Sequence, residues 1–467
     1  MKDFLLRTIF KPVSASTLSA ARILISGLLF IEILHFWQIG FVPFGLTRPV
    51  FHLKYDYFEW VNPLPEPVMY GILALMTVCT LLMTAGFLFR IASAVFSLGL
   101  TYFMLIEQSH YNNHFYLFVL LTAVFACVDA DKMYSVKSRR TPGDGMIPYW
   151  HHLLPLFLLC VTYFYGGIAK LSPEWISGRL PGSIVDNLTA DNILISTMGR
   201  EGATAFLQWG GVCFDLSIPF LLLWKKTRWP AVIAVLIFNF TNGNVLFADI
   251  GHFPLFMVLA TALFFPPDFV KNLFAYGDKP KGTRRANGKK QRTSAKKNTP
   301  AAVATVKSPV WTSGKALTAG LLAAFVLIQL VLPLRHHFIG SPDPEWSGQF
   351  QRFSWRMKMQ TKEVEKMDLM FVDLVTGEES PLPYQQHLTG HQLKHITTDP
   401  NYLPQLAKYF KGAIQNRDVS NAVIRGDVQI KYNGRAAQQY LNPSVDLSAI
   451  EPREGTTNWI LPLKALK

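Results

Sequence analysis

The hydrophobic positions of this chain fall into long unbroken runs rather than into short alternating segments. A run of about 17–25 apolar residues is long enough to cross the hydrocarbon core of a bilayer as an α-helix. The sequence therefore predicts an all-α membrane bundle of about nine transmembrane helices, of which the third, fourth and eighth are short. The runs lie at roughly 17–38, 68–89, 91–107, 113–130, 150–170, 204–224, 229–247, 252–267 and 315–334.

The chain becomes polar after the last of these runs. Two later segments, KMDLMFVDLV and NAVIRGDVQIKYNG, alternate apolar and polar positions as half-buried strands do. PYQQHLTGHQLKHI and YLPQLAKYFKGAI have the spacing of short amphipathic helices. We therefore predict a membrane bundle at 1–277, a basic linker at 278–310, a ninth transmembrane helix at 311–335 and an extracytoplasmic, β-rich α+β domain at 336–467.

Composition and charge support this class and give it an orientation. Only 16% of the residues are charged, against about 25% in soluble domains. Cationic residues cluster before the first run and between the fourth and fifth, sixth and seventh, and eighth and ninth runs. Because positive loops stay in the cytoplasm, we predict a cytoplasmic N-terminus and linker and an extracytoplasmic C-terminal domain. Much of the net charge of +14 lies in the linker, so it indicates a cytoplasmic loop or a lipid-headgroup contact rather than nucleic-acid binding.

The segment YFYGGIAKLSPEW ends an apolar run on a single lysine, Lys170. Helical spacing places Tyr163, Gly166 and Gly167 on the same face, where two glycines would let a neighbouring helix or a flat ring approach closely. Many such lysines are interfacial anchors whose amine reaches the water. Lys170, however, is predicted at the extracytoplasmic end of its span, where the positive-inside rule does not favour a cation. The residues alone leave both an anchor and a base open.

Polar residues from two other regions are predicted at the same membrane depth as Lys170. Such groups are costly within spans and usually have a partner or a function. A lysine in an apolar pocket loses the hydration of its charged form and can act as a base, while histidine and amide groups can stabilise a developing anion. Such a site would suit proton abstraction from a lipophilic, quinol-like compound, and the residues alone go no further. The converging residues are Asn112, Asn113 and His114, and then Asn239, Asn242, Asn244, Asp249 and His252.

Several motifs resemble those of the vitamin K-dependent γ-glutamyl carboxylases and their bacterial relatives, a membrane family that shares the HTTM domain. YFYGGIAKLSPEWISG is similar to the motif around the catalytic lysine of that family, and YNNHFYLF to its Asn-Asn-His-Ser-Tyr-Leu segment. QRFSWRMKMQTK resembles the stretch with the Tyr-Ser-Trp substrate-contact motif, and DVQIKYNGRAAQQYLNPSVDLS the Asn-Gly-Arg strand region. The similarity covers nearly the whole chain in order.

The resemblance implies a mechanism in which Lys170 deprotonates vitamin K hydroquinone, or menaquinol. Oxidation of the quinol by O2 to its epoxide would give a strong base, which removes a γ-proton from glutamate before CO2 is added. His114 would act in the glutamate step, and Phe353, Ser354 and Trp355 would lie near the glutamate. The implied partners are the lipid bilayer and a glutamate-containing peptide or protein, with no metal and no nucleic acid.

Departures from the animal enzymes suggest a bacterial member, in the inner membrane. Asn239 stands where the animal motif has histidine, the bridging cysteine pair is missing, and the long C-terminal part of the animal enzyme has no counterpart. Two alternatives remain open. One is a quinol epoxidase or oxygenase that does not carboxylate protein, and the other is a non-catalytic quinone- or lipid-binding membrane protein in which Lys170 is only an anchor.

Other polar residues have more ordinary interpretations. We expect Arg22, early in the first span, to satisfy a polar contact on the cytoplasmic side. Lys358 and Lys362 are either guides for an acidic peptide or part of a solvated face. Asn433-Gly434-Arg435 is predicted to form a tight turn with a structural role.

Overall fold

The computed structural model shows a helical bundle followed by a smaller domain that contains a β-sheet. The described residues are 2–247, 250–277, 310–339, 343–396, 399–415, 422–451 and 458–464. The predicted basic linker, apart from its last residue, and Asp249 lie outside them. The helices are α1 (Lys2–Thr8), α2 (Ser16–Gln38), α3 (Glu66–Ala85), α4 (Phe89–Ile106), α5 (Asn113–Cys127), α6 (Val136–Arg140), α7 (Trp150–Ala169), α8 (Pro173–Ile176), α9 (Arg179–Asp186), α10 (Ile193–Ala205), α11 (Gly211–Leu223), α12 (Arg228–Thr241), α13 (Phe253–Ala260), α14 (Phe269–Gly277), α15 (Ser313–Val331), α16 (Arg335–Ile339), α17 (Pro344–Ser347), α18 (Gly390–Ile396) and α19 (Tyr402–Gln415).

Within the described residues, seven helical segments are long and apolar enough to cross a bilayer. Two shorter apolar helices, Asn113–Cys127 and Phe253–Phe264, lie where the fourth and eighth spans are predicted. The membrane class is confirmed, but the count of nine is not, because these two helices are shorter than the roughly 17 residues that a crossing needs. The seven are Ser16–Gln38, Glu66–Ala85, Phe89–Ile106, Trp150–Ala169, Ile193–Leu223, Arg228–Leu246 and Ser313–Ile339.

The sixth predicted span, 204–224, begins too late in the sequence-based prediction. The helix starts at Ile193 and continues through a π-helical turn, Phe206–Gly210, into α11. Gly199, with φ 70° and ψ 172°, breaks the first part. That first part contains the polar sequence STMGREG, so a criterion based on apolar runs cannot detect it.

The bundle packs around α7, which contacts α5 on one side and α11 on the other. Helix α2 packs against α3, α13 and α14, while α4 packs between α3 and α5. Helices α12 and α15 leave most of their apolar side chains exposed, as helices that face lipid do. The arrangement therefore places the end of α7, which carries Lys170, against protein rather than at the lipid-facing edge.

Arg22 of α2 is fully buried in the bundle, where its side chain joins α2 to two other parts of the chain. Its guanidinium donates to four backbone carbonyls, two in the last turn of α3 and two in the segment that follows α5. A buried guanidinium is tolerated only when its donors are satisfied in this way. This is the polar contact expected from the sequence. The acceptors are Met83, Thr84, Ala130 and Tyr134, at 2.6, 2.7, 3.1 and 2.7 Å.

The C-terminal domain is built on a four-stranded antiparallel sheet with strand order β4-β3-β5-β6. The long pair β3–β5 runs from Lys362 opposite Tyr432 to Asp373 opposite Ala422, with an irregularity between Val364 and Lys366. Both predicted strands and both predicted short helices are found here, which confirms the α+β class. A separate small sheet pairs β1 with β2. The strands are β1 (Pro12–Ser14), β2 (Met146–Pro148), β3 (Lys362–Asp373), β4 (Glu379–Pro381), β5 (Ala422–Tyr432) and β6 (Gln438–Gln439).

Hydrogen bonds fix the C-terminal domain to the loops at one end of the bundle. The Gln392 amide donates to the Phe51 carbonyl at 2.8 Å and to Glu107 Oε2 at 2.9 Å. Gln405 forms a reciprocal pair with the backbone of Lys54, at 2.8 and 3.0 Å. Asn433 and Arg435 of the same domain contact Glu174, just after α7, so the domain covers the end of the bundle where α7 stops.

Candidate functional site

Lys170 follows the last residue of α7 and is buried, with 8% of its surface exposed. Its Nζ lies 2.5 Å from Asp215 Oδ2, on α11, and 3.4 Å from the Gly166 carbonyl oxygen. The ring of Trp175 covers the amine, with its centroid 5.3 Å from Nζ. The amine is thus enclosed by a carboxylate, a helix-terminal carbonyl and an indole, and does not extend into bulk water.

Three glycines let α11 approach α7 closely enough to form this pair. A Cβ added at Gly167 would lie 2.9 Å from the backbone nitrogen of Leu216, and one at Gly166 would lie 3.4 Å from Asp215 Oδ2. A Cβ on Gly211 would meet the Lys170 stem at 3.4–3.5 Å and the Trp175 ring at 3.2 Å. Small residues permit such close backbone approach between membrane helices. The GG pair before Lys170 therefore positions its partner.

Tyr163 and Asn239 lie beside the pair, on α7 and α12. The Tyr163 side chain is buried, and its hydroxyl faces the Asn239 amide and the Asp215 carboxylate. That hydroxyl forms no hydrogen bond of normal geometry with any described residue, and the Asn239 amide donates to the Val235 carbonyl at 2.9 Å. A buried hydroxyl without a partner can be satisfied by a water molecule or by a polar ligand.

The C-terminal domain sends the segment 353–357 into the same region. Met357 lies over Gly166, since its Cε would be 3.4 Å from a Cβ at that position. Trp355 is completely buried, and its Nε1 has no hydrogen-bond partner among the described residues. Phe353 and Trp355 both have positive φ, 59° and 58°, a conformation that such bulky residues rarely adopt and that often marks functional segments. Ser354, by contrast, uses its hydroxyl internally, donating to Phe350 O and accepting from Arg335.

The three polar residues at the start of α5 have different environments. Asn112 caps the helix, accepting from the Phe115 amide at 2.8 Å, so its side chain is explained by helix capping. Asn113 donates to the Arg356 carbonyl at 3.1 Å and therefore holds the 353–357 segment. The His114 ring stacks flat on Phe253, with centroids 3.8 Å apart.

The remaining predicted residues have neighbours other than Lys170. His252 Nδ1 lies 2.9 Å from Glu32 Oε2, and its ring contacts His35 at 5.8 Å between centroids. Asn242 is half-buried and begins a π-helical turn, Asn242–Leu246. Asn244 is exposed and donates to the Phe240 carbonyl.

The two lysines of the C-terminal domain differ from each other. Lys358 is exposed and lies 5.2 Å from the Phe247 ring centroid. Lys362 is not part of a solvated face, because its Nζ donates to the Trp346 carbonyl and the Tyr440 hydroxyl at 2.8 and 2.9 Å. Burial lowers the pKa of Lys362 to about 7. Its role in the described structure is to join β3 to the domain core.

The structure thus assembles one site from helices α7, α11 and α12 and from the segment 353–357. It brings Lys170, Tyr163, Gly166, Gly167 and Asn239 together with two residues that sequence reasoning missed, Asp215 and Met357. The signal for Asp215 was present, since it is a single carboxylate in the apolar run GGVCFDLSIPFLLL. Among the described residues, no group of three or more His, Cys, Asp or Glu side chains is placed to hold a metal ion.

Comparison with known protein families identifies this architecture. The HTTM domain model matches residues 10–269, which is more than half of the chain and includes Lys170 and Asp215. The model described as vitamin K-dependent gamma-carboxylase, lumenal domain, matches residues 314–465 and includes Trp355 and Met357. The chain belongs to the vitamin K-dependent gamma-carboxylase family. No solved structure matches it at a significant level.

The two family matches define the class of the protein and can be located in its structure. This gamma-carboxylase-like protein is an integral membrane protein with a lumenal-type C-terminal domain, and its family domains indicate an enzyme. The two family matches also meet at the site, because Gly166 of the first contacts Met357 of the second.

Proposed function

We propose that this protein is a vitamin K-dependent gamma-carboxylase-like enzyme that oxidises a naphthohydroquinone and carboxylates glutamate side chains. The buried contact between the Lys170 amine and the Asp215 carboxylate, which is an ion pair once the amine holds a proton, carries the proposal. When bound, vitamin K hydroquinone or menaquinol would supply, through its oxidation by O2 to the epoxide, a base strong enough to remove the γ-proton of glutamate, to which CO2 is then added. No side chain at rest reaches that basicity.

Lys170 is the residue proposed to take the first proton from the quinol. A buried ammonium is strongly disfavoured without a counter-charge, and Asp215 at 2.5 Å provides it. In the proposed step the O–H bond of the quinol breaks, its proton passes to the neutral Lys170 amine, and the ammonium that forms is stabilised by the Asp215 carboxylate. Trp175 and the 353–357 segment would exclude water, which protects a strong base from being quenched.

The residues around Lys170 and Asp215 suit a flat, apolar ring compound that carries oxygen substituents. The Tyr163 ring beside the pair, and the Trp355 ring in the segment that reaches Gly166 through Met357, offer apolar surface. Tyr163 OH and Trp355 Nε1, which have no hydrogen-bond partner in the described part of the chain, would find acceptors in the oxygens of a quinol or of a glutamate carboxylate. Asn239 would orient the Tyr163 hydroxyl.

We assign the glutamate step to residues on the side of the C-terminal domain. His114 is proposed to act in deprotonation of glutamate, with its ring plane fixed by Phe253. Phe353 and Trp355 would contact the substrate side chain, and Ser354 would act by shaping the turn between them. Asn112, Asn242 and His252 would influence the pocket through helix α5 and the α12–α13 connection.

The proposed setting is a bacterial inner membrane, with the N-terminus and the basic linker in the cytoplasm and the C-terminal domain outside. The partners would be the lipid bilayer, which delivers the quinol, and a glutamate-containing peptide or protein. The alternative of Lys170 as an interfacial anchor is weakened by its geometry, because an anchoring amine reaches outward to water whereas this one pairs inward with Asp215. A quinol epoxidase that does not carboxylate protein would use the same pair.

The test is a reaction of the purified protein with vitamin K hydroquinone, labelled bicarbonate and a glutamate-containing peptide. Epoxide together with fixed label supports the proposal, and epoxide without label supports the epoxidase alternative. We expect Lys170→Ala to abolish both products while the protein still elutes as a folded species. Lys271→Ala, at an exposed lysine of α14, is the matched control and should retain full activity. Unchanged turnover in Lys170→Ala would remove Lys170 as the base.

A further inference from the structure

The short helix α8, which follows Lys170, carries a buried carboxylate that the proposed chemistry does not use. Glu174 accepts from Asn433 Nδ2 at 3.3 Å, forms an ion pair with Arg435, and lies 3.7 Å from Arg179 Nη1. Asn433 and Arg435 belong to the C-terminal domain, whereas Glu174 belongs to the membrane bundle. The carboxylate is thus a direct connection between the two family domains, four residues from the proposed base.

The turn that presents these two side chains is itself held in place. Asn433 and Gly434 have φ of 49° and 74°, which the Asn-Gly sequence accommodates readily. Asn433 Oδ1 accepts from the Thr361 amide at 2.9 Å, and the Thr361 hydroxyl lies 2.7 Å from Ser183 Oγ of α9. Arg435 also donates to the Lys464 carbonyl at 3.0 Å. The turn therefore reaches Glu174 with little freedom to move.

Glu174 is directly followed by Trp175, whose indole covers the Lys170 amine. The other side of α8 is fixed through Gln208, whose carbonyl accepts from Trp175 Nε1 at 2.9 Å and whose amide donates to the Ile176 carbonyl at 2.6 Å. Four residues of helix cannot hold their own position by backbone hydrogen bonds alone. The position of Trp175 thus depends on contacts at both sides, one of which comes from the C-terminal domain.

We propose that Glu174, Asn433 and Arg435 form a clamp through which the C-terminal domain holds Trp175 over Lys170 and keeps water from its amine. This goes beyond the structural turn expected from the sequence, and it rests on the proposed function for its consequence in catalysis. Glu174 and Arg435 are positioning residues, which act on the proton transfer through Trp175. Loss of the clamp would let water reach the site, so that quinol is oxidised with less carboxylation of peptide.

The first readout is independent of activity. The protein in detergent micelles is treated with a water-soluble acetylating reagent, and acetylation of Lys170 is followed over time by mass spectrometry, relative to the exposed Lys271. We expect Arg435→Ala to accelerate acetylation of Lys170 at least 10-fold, with Lys271 unchanged. Glu174→Gln, which keeps the size of the side chain, should give a smaller increase in the same direction. The control is Lys431→Ala, which breaks an exposed pair with Glu365 in the same domain and should have no effect.

The second readout is the ratio of carboxylated peptide to epoxide, which should fall at least threefold in both clamp variants and recover in part in Arg435→Lys. A general loss of folding would accelerate acetylation at all lysines, and that result would overturn the proposal. Unchanged acetylation of Lys170 in both clamp variants would also overturn it. If Lys170 becomes accessible but the wild-type protein makes no epoxide, the clamp stands and the proposed function fails.

Discussion

The pair between Lys170 and Asp215 predicts a large kinetic effect for a small change. Asp215→Asn removes one charge and almost no volume, and its amide can still accept a hydrogen bond from Nζ. The two side chains are only 10% and 6% exposed, so solvent screens their interaction very little. Any effect of this substitution therefore reports the charge of the carboxylate rather than packing.

The magnitude follows from what a buried ammonium costs without its partner. Removing one member of a buried ion pair costs about 3–5 kcal/mol. If Lys170 must hold a proton during quinol oxidation, most of this cost falls on that step. At about 1.4 kcal/mol for each tenfold change in rate, a penalty of about 3 kcal/mol slows the step roughly 150-fold. We therefore expect turnover of the quinol to fall by about two orders of magnitude.

The assay is the initial rate of epoxide formation from vitamin K hydroquinone in micelles, at saturating quinol. Ser217→Ala is the matched control on the same helix, since its exposed hydroxyl bonds only the Cys213 carbonyl within the described residues. The double variant Lys170→Met, Asp215→Asn should melt at a higher temperature than Asp215→Asn alone, because it no longer buries an unpaired charge. A rate for Asp215→Asn within threefold of wild type, in folded protein, would refute the reasoning.

Two further predictions test the packing and the docking of the domains. Gly167→Ala should lower the free energy of unfolding by about 1–3 kcal/mol and reduce epoxide formation, because the added methyl group would lie 2.9 Å from the Leu216 backbone nitrogen and push α11 away from α7. The control is Gly71→Ala, where the added methyl group has no neighbour within 4 Å, and it should change neither quantity. Burial lowers the pKa of His110 to about 3, and its ring stacks on His391 at 4.5 Å, next to His395 and His52. A histidine in the unfolded chain binds a proton near pH 6.5, whereas His110 in the folded protein does so only near pH 3. The free energy of unfolding should therefore decrease as the pH falls below 6.5, by about 1–2 kcal/mol at pH 5. Thermal melts at pH 7.5 and pH 5 measure this loss, and an equal loss in His110→Asn would contradict it.

The fold was predictable where one physical signal dominates. A long apolar run has few alternatives to a membrane helix, and the period-two pattern of β5 matches the alternation of buried and half-buried side chains along that strand. The prediction was weakest at helix ends. The segment from Ile193 to Ala205 is helical although its middle contains polar and charged side chains and two glycines, so it does not form a continuous apolar run. Length alone also could not separate a full crossing from the shorter helices Asn113–Cys127 and Phe253–Phe264.

The site was predictable only along its own helix. Spacing of three, four and seven residues correctly placed Gly167, Gly166 and Tyr163 on one face with Lys170. The partner Asp215 is 45 residues away, and its approach depends on glycine contacts that the sequence does not encode locally. A charged residue within a span usually has a partner or a function, and this rule singled out Lys170. The same rule applied to Asp215, which the sequence-based prediction did not include. Asn112 shows a different limit, since its side chain caps α5 and the sequence alone does not distinguish a helix cap from a site residue.

The placement of Lys170 also explains why such a protein needs two domains. The contacts of the Lys170 amine within the membrane bundle are with Asp215 of α11, the Gly166 carbonyl and the Trp175 ring. Met357, which lies over Gly166, and Asn433, which bonds Glu174, come from the C-terminal domain and contact the bundle beside Lys170. Water exclusion in the proposed reaction would therefore depend on the hydrogen bonds that seat this domain, not only on residues that touch substrate. Gln392→Ala, which removes two hydrogen bonds between this domain and the bundle, should then lower the ratio of carboxylated peptide to oxidised quinol. The rate of quinol oxidation itself should change less.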